Sequence, residues 1–374
     1  MMNRKCAVIG LGFGDEGKGM VTSHLALNDP TLPVIRYSGG QQAAHRVVHD
    51  GKSHVCAQVG SGVLTGAVTH WSCTCTLHPV FLMHELEALE DKGIFPTIHI
   101  DGHTPITTWF DVQANVHCKD THDHGTCGLG VNKTLRREEA LYSILFEDLY
   151  HPQILHYKLG QVREFYGTHP DLCQSAMTEF IGRCIALTRM KNIHIEYMPM
   201  HNKGIWEGSQ GLMLDKDIGF FPHVTPSNVG SVGIQRTTGY SLAGFEFYYV
   251  TRAYQTRHGN GPMLNEFKGK AIMHDPNEEN GDDGDQGLFR RAVLNLDQLK
   301  YALSKDKQGI GLWQNDTLVI TCLDHVVDNW QLCSGSSVLD YNSEDDFVHA
   351  IQQALGIPNV MLSHTPTPEL SKWK

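Results

Sequence analysis

The 374-residue sequence predicts one α/β domain in which helices flank a mostly parallel central sheet, with inserted helical and loop lobes. Two observations lead to this fold class. Short apolar runs, typical of buried strands, alternate along the chain with longer stretches of helical period. A strand, a Gly-rich turn and a helix follow one another at the start, as in parallel sheets that bind phosphate beyond their strand ends. We expect a single domain over residues 1–374, with a helical insertion around residues 138–190.

The patterns of apolar residues give the order of the predicted elements. Strands are predicted at residues 6–11, 34–37, 97–101, 193–197, 245–251 and 317–323. Helices are predicted at residues 18–27, 80–92, 138–146, 170–187 and 288–303. Residues 275–286 are acidic and rich in glycine, which predicts an exposed loop.

The composition argues against several classes of function. The net charge of −11 and the lack of a basic run argue against general nucleic-acid binding. No segment approaches about 18 consecutive apolar residues, so no membrane span is expected, and the start of the chain lacks the apolar core of a secretory signal. The ten cysteines are scattered and form no C-x-x-C pair. Reduced thiols in a cytoplasmic protein are the interpretation that fits this pattern.

The most informative motif is a Gly-rich loop after the first predicted strand. Residues 12–18 have the G-x-x-x-x-G-K spacing of a P-loop, but Gly19 replaces the Ser or Thr that supplies the usual Mg²⁺ ligand. Two carboxylates, Asp15 and Glu16, lie inside the loop. A carboxylate beside bound phosphate is costly unless it binds a metal or moves a proton. The loop therefore predicts a P-loop-like site for phosphate, Mg²⁺ and a base; the alternative is a glycine turn with only a structural role.

Further clusters follow along the chain at residues 36–45, 206–228, 256–262 and 319–324. In the first, His45 comes after a strand end and a Gly-Gly turn, a place suited to proton donation or phosphate contact. In the second, Gln210 lies between glycines, where its amide could face a purine edge. In the last, Asp324 ends a strand, and its carboxylate could accept from both N1–H and the 2-amino group of guanine.

These five motifs, in this order and across nearly the whole chain, resemble the adenylosuccinate synthetase family. The family's loop W-G-D-E-G-K-G-K is matched by residues 13–19, and its G-G-x-N-A-G-H by residues 39–45. Its E-G-A-Q-G and V-T-S-S-N motifs are matched within residues 207–228, its T-R-V-G-x-G-P by residues 256–262 and its T-K-x-D by residues 321–324. The resemblance implies a two-step ligation. A nucleoside triphosphate phosphorylates O6 of a 6-oxopurine nucleotide, and the amine of L-aspartate then displaces that phosphate.

The resemblance also implies roles for individual residues. Asp15 would take the N1 proton and would bind Mg²⁺ together with the backbone carbonyl of Ala44. His45 would be the acid in phosphoryl transfer, and Lys18 would cradle phosphate. Contacts to the nucleotide and its phosphates would come from Gly14, Glu16, Gly17, Gly19, Gln42, Thr126, Arg137, Gln210, Thr225 and Asp324. GTP is the expected donor and ATP the alternative; the partners are these small molecules and a second copy of the chain in a homodimer.

The chain departs from the family pattern around the acceptor nucleotide. Gln42 stands where the family has Asn, Ala44 where it has Gly, and Leu129 where it has Arg. Arg136 and Arg137 follow Leu129. Both are predicted to be able to supply the lost phosphate contact, across the dimer interface that the family arrangement implies, and Arg137 is the one assigned to the site.

The chain also departs from the family at the aspartate and guanine contacts. The family's aspartate loop, T-T-G-R-x-R-R, is not recognisable, and the acidic loop leads instead into residues 286–291. Arg290 is assigned to the aspartate carboxylate. Cys322 replaces the Lys that stacks on guanine in the family, which weakens the assignment of GTP, although Asp324 is kept.

The compact chain and altered pocket resemble the phage-encoded branch that aminates dGMP on the way to 2-aminoadenine DNA. Most members of that branch have lost the base Asp and the guanine-reading Asp, whereas this chain keeps Asp15 and Asp324. The favoured acceptor is dGMP and the alternative is IMP; a phage enzyme would act in the host cytoplasm. An inactive nucleotide-binding regulator is a more remote alternative, since binding alone requires neither Asp15 nor His45. A zinc site at residues 117–124 is disfavoured because no zinc-ligand spacing fits.

Overall fold

The computed structural model describes residues 4–117, 127–167, 174–197, 202–239, 241–266, 287–327 and 329–373. Its main feature is a ten-stranded sheet in which neighbouring strands are parallel except at one edge. From that edge the strands are β17 (Ser371–Lys372), β16 (Asn359–Leu362), β13 (Thr317–Thr321), β9 (Phe245–Arg252), β1 (Lys5–Gly10), β8 (Gly204–Gly211), β2 (Val34–Arg36), β5 (Thr69–Trp71), β6 (Ile98–Asp101) and β7 (Ile193–Glu196). The sheet confirms the predicted α/β fold.

Helices and short strand pairs connect the strands of the sheet. The helices are α1 (Lys18–Asn28), α2 (Pro79–Glu90), α3 (Trp109–Val116), α4 (Val131–Glu139), α5 (Pro152–Tyr166), α6 (Gln174–Thr188), α7 (Ser231–Thr238), α8 (Leu296–Asp306) and α9 (Glu344–Leu355). Outside the main sheet, β3 (His45–His49) pairs with β4 (Lys52–Cys56), β10 (Gln255–His258) with β11 (Phe289–Ala292), and β14 (Trp330–Ser334) with both β12 (Leu294–Asn295) and β15 (Ser337–Tyr341). Within the described ranges, no helix has the length and apolar character needed to cross a membrane.

Strand β1 lies at the centre of the sheet because its residues are apolar on both faces. Cys6 and Val8 pack in a core cluster with residues of α1, whereas Ala7 and Ile9 pack on the opposite face with residues of α8 and α9. Such two-sided burial is typical of parallel sheets. The carboxyl ends of β1, β2, β8, β9 and β13 therefore meet at one edge, and the Gly-rich loop leaves β1 at that edge.

The six predicted strands are confirmed with small shifts at their ends, but two predicted helices begin and end elsewhere. The prediction for residues 138–146 is wrong for most of its length. α4 ends at Glu139, and Leu141 has a φ of 68°, which a right-handed helix cannot include. The predicted helix at residues 288–303 starts instead with β11 and β12. α8 begins at Leu296, because the Asn295 side chain accepts a hydrogen bond from the Gln298 N–H at 3.0 Å and caps the helix.

Helices α5 and α6 lie within the segment predicted as a helical insertion. They bury Leu155, Leu159 and Phe180 in a core cluster that also contains Leu82 of α2. The predicted start of α6, at residue 170, lies outside the described residues. The boundaries of the insertion and the single-domain organisation stay predictions.

Candidate functional site

The Gly-rich loop folds around the side chain of Glu16. One carboxylate oxygen, Oε1, accepts hydrogen bonds from the N–H groups of Gly12 (3.0 Å) and Gly14 (2.9 Å), and Oε2 lies 2.7 Å from the Lys18 Nζ. A Cβ at Gly211 of β8 would come within 2.2 Å of Oε1, so the carboxylate requires glycine opposite it. Glu16 is therefore an internal anion that shapes the loop. The predicted phosphate contact of Glu16 would therefore have to come from its backbone, and it stays a prediction.

The amino end of α1 remains as the anion-binding part of the loop. Gly17 adopts a φ of 89° and begins the helix without a side-chain cap. The first N–H groups of an uncapped helix need an external acceptor, and the helix dipole favours an anion there. Lys18 is almost fully buried beside them, and within the described part of the chain its ammonium group pairs with Glu16. Backbone N–H groups and one ammonium group thus converge where the sequence predicts phosphate.

Gly19 explains the departure from the P-loop pattern. A Cβ at this position would stand 2.7 Å from the Cβ of His45 and 3.1 Å from the Oγ of Ser61. A Ser or Thr could not fit without moving β3. The absence of a side chain at Gly19, and with it of the usual Ser or Thr hydroxyl, therefore allows His45 to pack against the Gly-rich loop.

His45 is held at both ring nitrogens. Nδ1 lies 2.7 Å from Oε1 of Glu207, and Nε2 lies 3.1 Å from the backbone oxygen of Ser209. Both partners can only accept hydrogen bonds, so both bonds form together only when the ring carries two protons. To donate to a phosphate, the ring would have to exchange the Ser209 oxygen at Nε2 for the phosphate and keep Glu207 at Nδ1.

Glu207 is a site residue that the sequence assignment missed. Its side chain is fully buried in β8, and Oε2 accepts from the Ser61 N–H at 3.1 Å. Burial opposes ionisation, but the charge and hydrogen bond of His45, with the charge of Arg36, lower the pKa of Glu207 to about 2. A permanently ionised carboxylate therefore orients His45. The available signal was a single acid within the otherwise apolar and small residues 204–211.

Asp15 is held at its backbone and at one carboxylate oxygen. Its φ is 58°, its carbonyl accepts a hydrogen bond from Arg252 Nε, and its Oδ2 lies 3.1 Å from Nδ1 of His258. Burial raises the pKa of Asp15, but the His258 hydrogen bond and the charges of Arg252 and Lys18 hold it below its usual range. The carboxylate is 31% exposed. The other oxygen, Oδ1, has no hydrogen-bond partner among the described residues, so an ionised acceptor faces the site.

The predicted guanine-reading segment is tied to the loop by Thr321. Its Oγ1 donates to the Glu16 carbonyl at 2.8 Å. The next residue, Cys322, has a φ of 56°; burial raises the pKa of its thiol, but Arg252 and His325 bring it below its ordinary value. Asp324 follows with 39% of its side chain exposed. The structure thus places Asp324 near the loop with an accessible carboxylate.

Two predicted purine contacts carry polar atoms without partners. The amide oxygens of Gln42 and Gln210 are buried and make no hydrogen bond within the described part of the chain. Gln210 follows Ser209, whose backbone oxygen contacts His45. Gly39 lies between the two regions, because a Cβ added to it would stand 2.8 Å from Ser209 and 3.3 Å from the amide nitrogen of Gln42. Buried acceptors without donors are costly and indicate a missing partner. Both glutamines are therefore suited to bind a ligand.

The structure says less about three other predicted contacts, Ala44, Thr225 and Thr126. Ala44 is exposed in the turn before β3, and Thr225 lies half-buried after β8 with its N–H bound to the Leu214 oxygen at 2.8 Å. Thr126 lies outside the described residues, as does the acidic loop through residue 286 and most of the His/Cys-rich segment.

Arg137 has other partners than the predicted phosphate. It is fully buried in α4, where Nε lies 2.9 Å from Oδ1 of Asp111 and Nη2 donates to the Ile106 oxygen at 2.7 Å. Nη1 donates to Glu138 at 2.8 Å and to the Tyr142 oxygen. No donor is left for a nucleotide, so this prediction is corrected. The neighbouring Arg136 is exposed.

Arg290 is likewise engaged within the protein. Nε and Nη2 contact the Glu266 carboxylate at 2.8 and 2.5 Å, and Nη1 donates to the oxygens of Gly259 (2.9 Å) and Gly261 (2.8 Å). Arg290 could contact the aspartate carboxylate only by exchanging Glu266 for it, so this assignment stays a prediction. Arg291 follows on β11, and its buried Nε has no hydrogen-bond partner among the described residues.

Comparison with known proteins identifies the family of the chain. The family model of adenylosuccinate synthetase matches residues 7–333. The chain belongs to this family. Curated relatives named adenylosuccinate synthetase include those of Pseudomonas fluorescens, 29% identical over 287 residues, and Azotobacter vinelandii, 28% identical over 287 residues. Each match covers 71% of this chain but 66% of the relative, so the chain spans just under two thirds of the length of these relatives.

Solved structures support the same fold. The fully ligated adenylosuccinate synthetase of Plasmodium falciparum matches with a TM-score of 0.80 and 18% identity, over 99% of this chain and 100% of that one. The succinoaminodeoxyadenylate synthetase of cyanophage S-2L, solved with dGMP and with dATP as an energy donor, matches with a TM-score of 0.65 and 13% identity, over 100% and 96%. At these identities the likeness establishes the fold alone.

Proposed function

We propose that this protein is a ligase that joins L-aspartate to C6 of a 6-oxopurine nucleoside 5′-monophosphate, driven by GTP hydrolysis. The observation that carries the proposal is the combination of an ionised Asp15 in the Gly-rich loop with His45, which packs against Gly19 and is hydrogen-bonded at both ring nitrogens. A site that only binds nucleotide requires neither group. This combination therefore favours an enzyme over the regulator.

In the first step the purine O6 becomes the nucleophile. Oδ1 of Asp15 accepts the N1 proton, and the electrons shift to O6, which attacks the γ-phosphorus of GTP while the bond to the β-phosphate oxygen breaks. Lys18 and the amino end of α1 stabilise the transferring charge, and His45 donates to it. Phosphorylation converts a poor leaving group at C6 into a good one.

The residues present fit a bound Mg²⁺. The Asp15 carboxylate and the backbone carbonyl of Ala44, an exposed residue, are oxygen donors, which this ion prefers. When bound, Mg²⁺ would neutralise charge on the phosphates of the donor. Lys18 supplies a fixed positive charge on the same side of the loop.

In the second step the amine of L-aspartate attacks C6 and the phosphate leaves. The carboxylates of aspartate require cationic partners, and Arg290 is committed to Glu266. Arg291 is the better candidate, because its Nε is unpaired among the described residues and it lies on the same strand. We assign the aspartate contact to Arg291.

The favoured acceptor is dGMP. Guanine has a 2-amino group that hypoxanthine lacks, and this group would supply donors to the unpaired amide oxygens of Gln42 or Gln210. IMP remains the alternative, since the curated relatives are named for adenylosuccinate.

The deciding experiment is a product assay by mass spectrometry. Purified protein, Mg²⁺, GTP and L-aspartate are incubated with dGMP and IMP at equal concentrations, and parallel reactions replace GTP with ATP. Succinylated dGMP as the main product would support the proposal, and succinylated IMP would support the alternative acceptor. Absence of product with either nucleotide would contradict the ligase and leave the regulator.

We also propose that the protein acts as a homodimer, with Arg136 rather than Arg137 reaching the partner's nucleotide. Arg136 is exposed on α4, next to the position where the family arginine is replaced by Leu129. Light scattering of the purified protein, with and without nucleotide, tests the dimer. A monomer at concentrations where the enzyme is active would contradict it.

A further inference from the structure

The strongest unexplained contact of the site is the one between Asp15 and His258. His258 occupies the position of valine in the family's T-R-V-G-x-G-P motif, and its Nδ1 lies 3.1 Å from Oδ2 of Asp15. A valine could make no such contact. Since the Asp15 carboxylate can only accept, Nδ1 of His258 is the donor.

The hairpin of β10 and β11 fixes the histidine ring. His258 stands opposite Phe289 in the antiparallel register, and the two ring centroids are 4.7 Å apart. The histidine side chain is 18% exposed. The ring therefore has packing on one side and Asp15 on the other, which limits its rotation.

Asp15 requires such support because its backbone is strained. A φ of 58° is uncommon for a residue other than glycine, and it persists only where neighbours determine it. Arg252, at the end of β9, holds the Asp15 carbonyl, and His258, at the end of β10, holds one carboxylate oxygen. The other oxygen, Oδ1, is left for a ligand.

We propose that His258 is a positioning residue, which binds Oδ2 of Asp15 and so directs Oδ1 towards the N1–H of the acceptor purine. The inference rests on the proposed function. A carboxylate held through one oxygen cannot rotate away from the proton that it takes, and this orientation matters for the phosphoryl-transfer step. GTP binding does not depend on it.

The test compares His258→Val, which restores the family residue, with His258→Asn, whose amide nitrogen can stand near the position of Nδ1. His156→Val, on the exposed face of α5, is the matched control. For each protein the kcat and the KM values for acceptor nucleotide, GTP and L-aspartate are measured, together with the melting temperature. Scrambling of an oxygen-18 label within GTP, measured with acceptor but without aspartate, reports phosphoryl transfer alone.

We expect His258→Val to lower kcat and the scrambling rate roughly 10- to 100-fold, the range for losing a hydrogen bond to a charged group, with the KM for GTP unchanged. His258→Asn should recover most of the loss, and His156→Val should match the wild type. Wild-type kcat in His258→Val, or an equal loss in both variants at wild-type melting temperature, would overturn the positioning role alone. Absence of product from the wild-type protein would instead overturn the proposed function, and this inference with it.

Discussion

The Gly-rich loop and the arginine-bearing segments of this molecule use charge in opposite ways. In the site built on the loop, His45 and Asp15 are each held at one atom by a side chain, Glu207 and His258, and keep a second atom that a ligand can reach: Oδ1 of Asp15 has no partner among the described residues, and Nε2 of His45 contacts the backbone oxygen of Ser209. In α4 and β11, every side-chain nitrogen of Arg137 and Arg290 donates a hydrogen bond to an acceptor within the protein. The difference shows that a charged residue near a motif is available for chemistry only when its own partners leave an atom unpaired.

The largest expected effect comes from removing the charge of Asp15, which tests whether this carboxylate is available for chemistry. Asp15→Asn keeps the shape and a partner for His258 but cannot take the N1 proton. We expect kcat to fall about 10³-fold, within the range for general-base catalysis, while the dissociation constant for GTP changes little. Steady-state kinetics and calorimetric titration with GTP measure the two effects. A variant with substantial turnover would show that another group is the base.

The second prediction concerns Arg137 and its exposed neighbour. Arg137→Met leaves the buried Asp111 without its cation, and we expect the free energy of unfolding to fall by about 3–5 kcal/mol. Arg136→Met should change stability by less than about 0.5 kcal/mol, because the residue is exposed. Urea denaturation of both variants measures the contrast. In kinetics, the Arg136 variant should raise the KM for the acceptor nucleotide if that side chain reaches phosphate.

Arg137 also shows how far the sequence could predict the molecule. Apolar periodicity was sufficient for the six strands, because burial on both faces leaves a strong pattern. The loop motif singled out Asp15 and Lys18, and the Gly-Gly turn singled out His45; their roles stay predictions. Neither motif could reveal that Glu16 accepts from the loop's own N–H groups or that Arg137 pairs with Asp111, since these contacts join residues whose spacing carries no local signal.

Glu207 provides a third prediction, with a defined pH dependence. The folded-state pKa of Glu207, about 2, lies below its ordinary value of 4.5. Ionised Glu207 therefore stabilises the fold above about pH 4.5, and this contribution is lost as the pH falls towards 2. Glu207→Gln should lower the free energy of unfolding at pH 7 by roughly 1–3 kcal/mol, and the difference from the wild type should shrink below pH 4.5.

The activity of the same variant tests whether Glu207 orients His45. We expect kcat to fall about tenfold to a hundredfold, since the imidazolium loses the carboxylate that fixes it. Glu246→Gln, on the partly exposed pair with Arg4, is the matched control and should leave kcat unchanged. A Glu207→Gln enzyme with normal kcat but lowered stability would assign the pair a structural role only.

The smallest expected effect separates the two arginines of β11. Arg291→Ala should raise the KM for L-aspartate roughly tenfold, as one charged contact of about 1.5 kcal/mol requires. Arg290→Ala should raise it no more than Glu266→Gln does, because both substitutions break the same ion pair. Aspartate titrations at saturating GTP and nucleotide measure these values. A larger effect for Arg290→Ala than for Glu266→Gln would mean that Arg290 exchanges the Glu266 carboxylate for that of the substrate. Of the two arginines, only Arg137 would then be unavailable to ligands, in contrast to the residues of the loop.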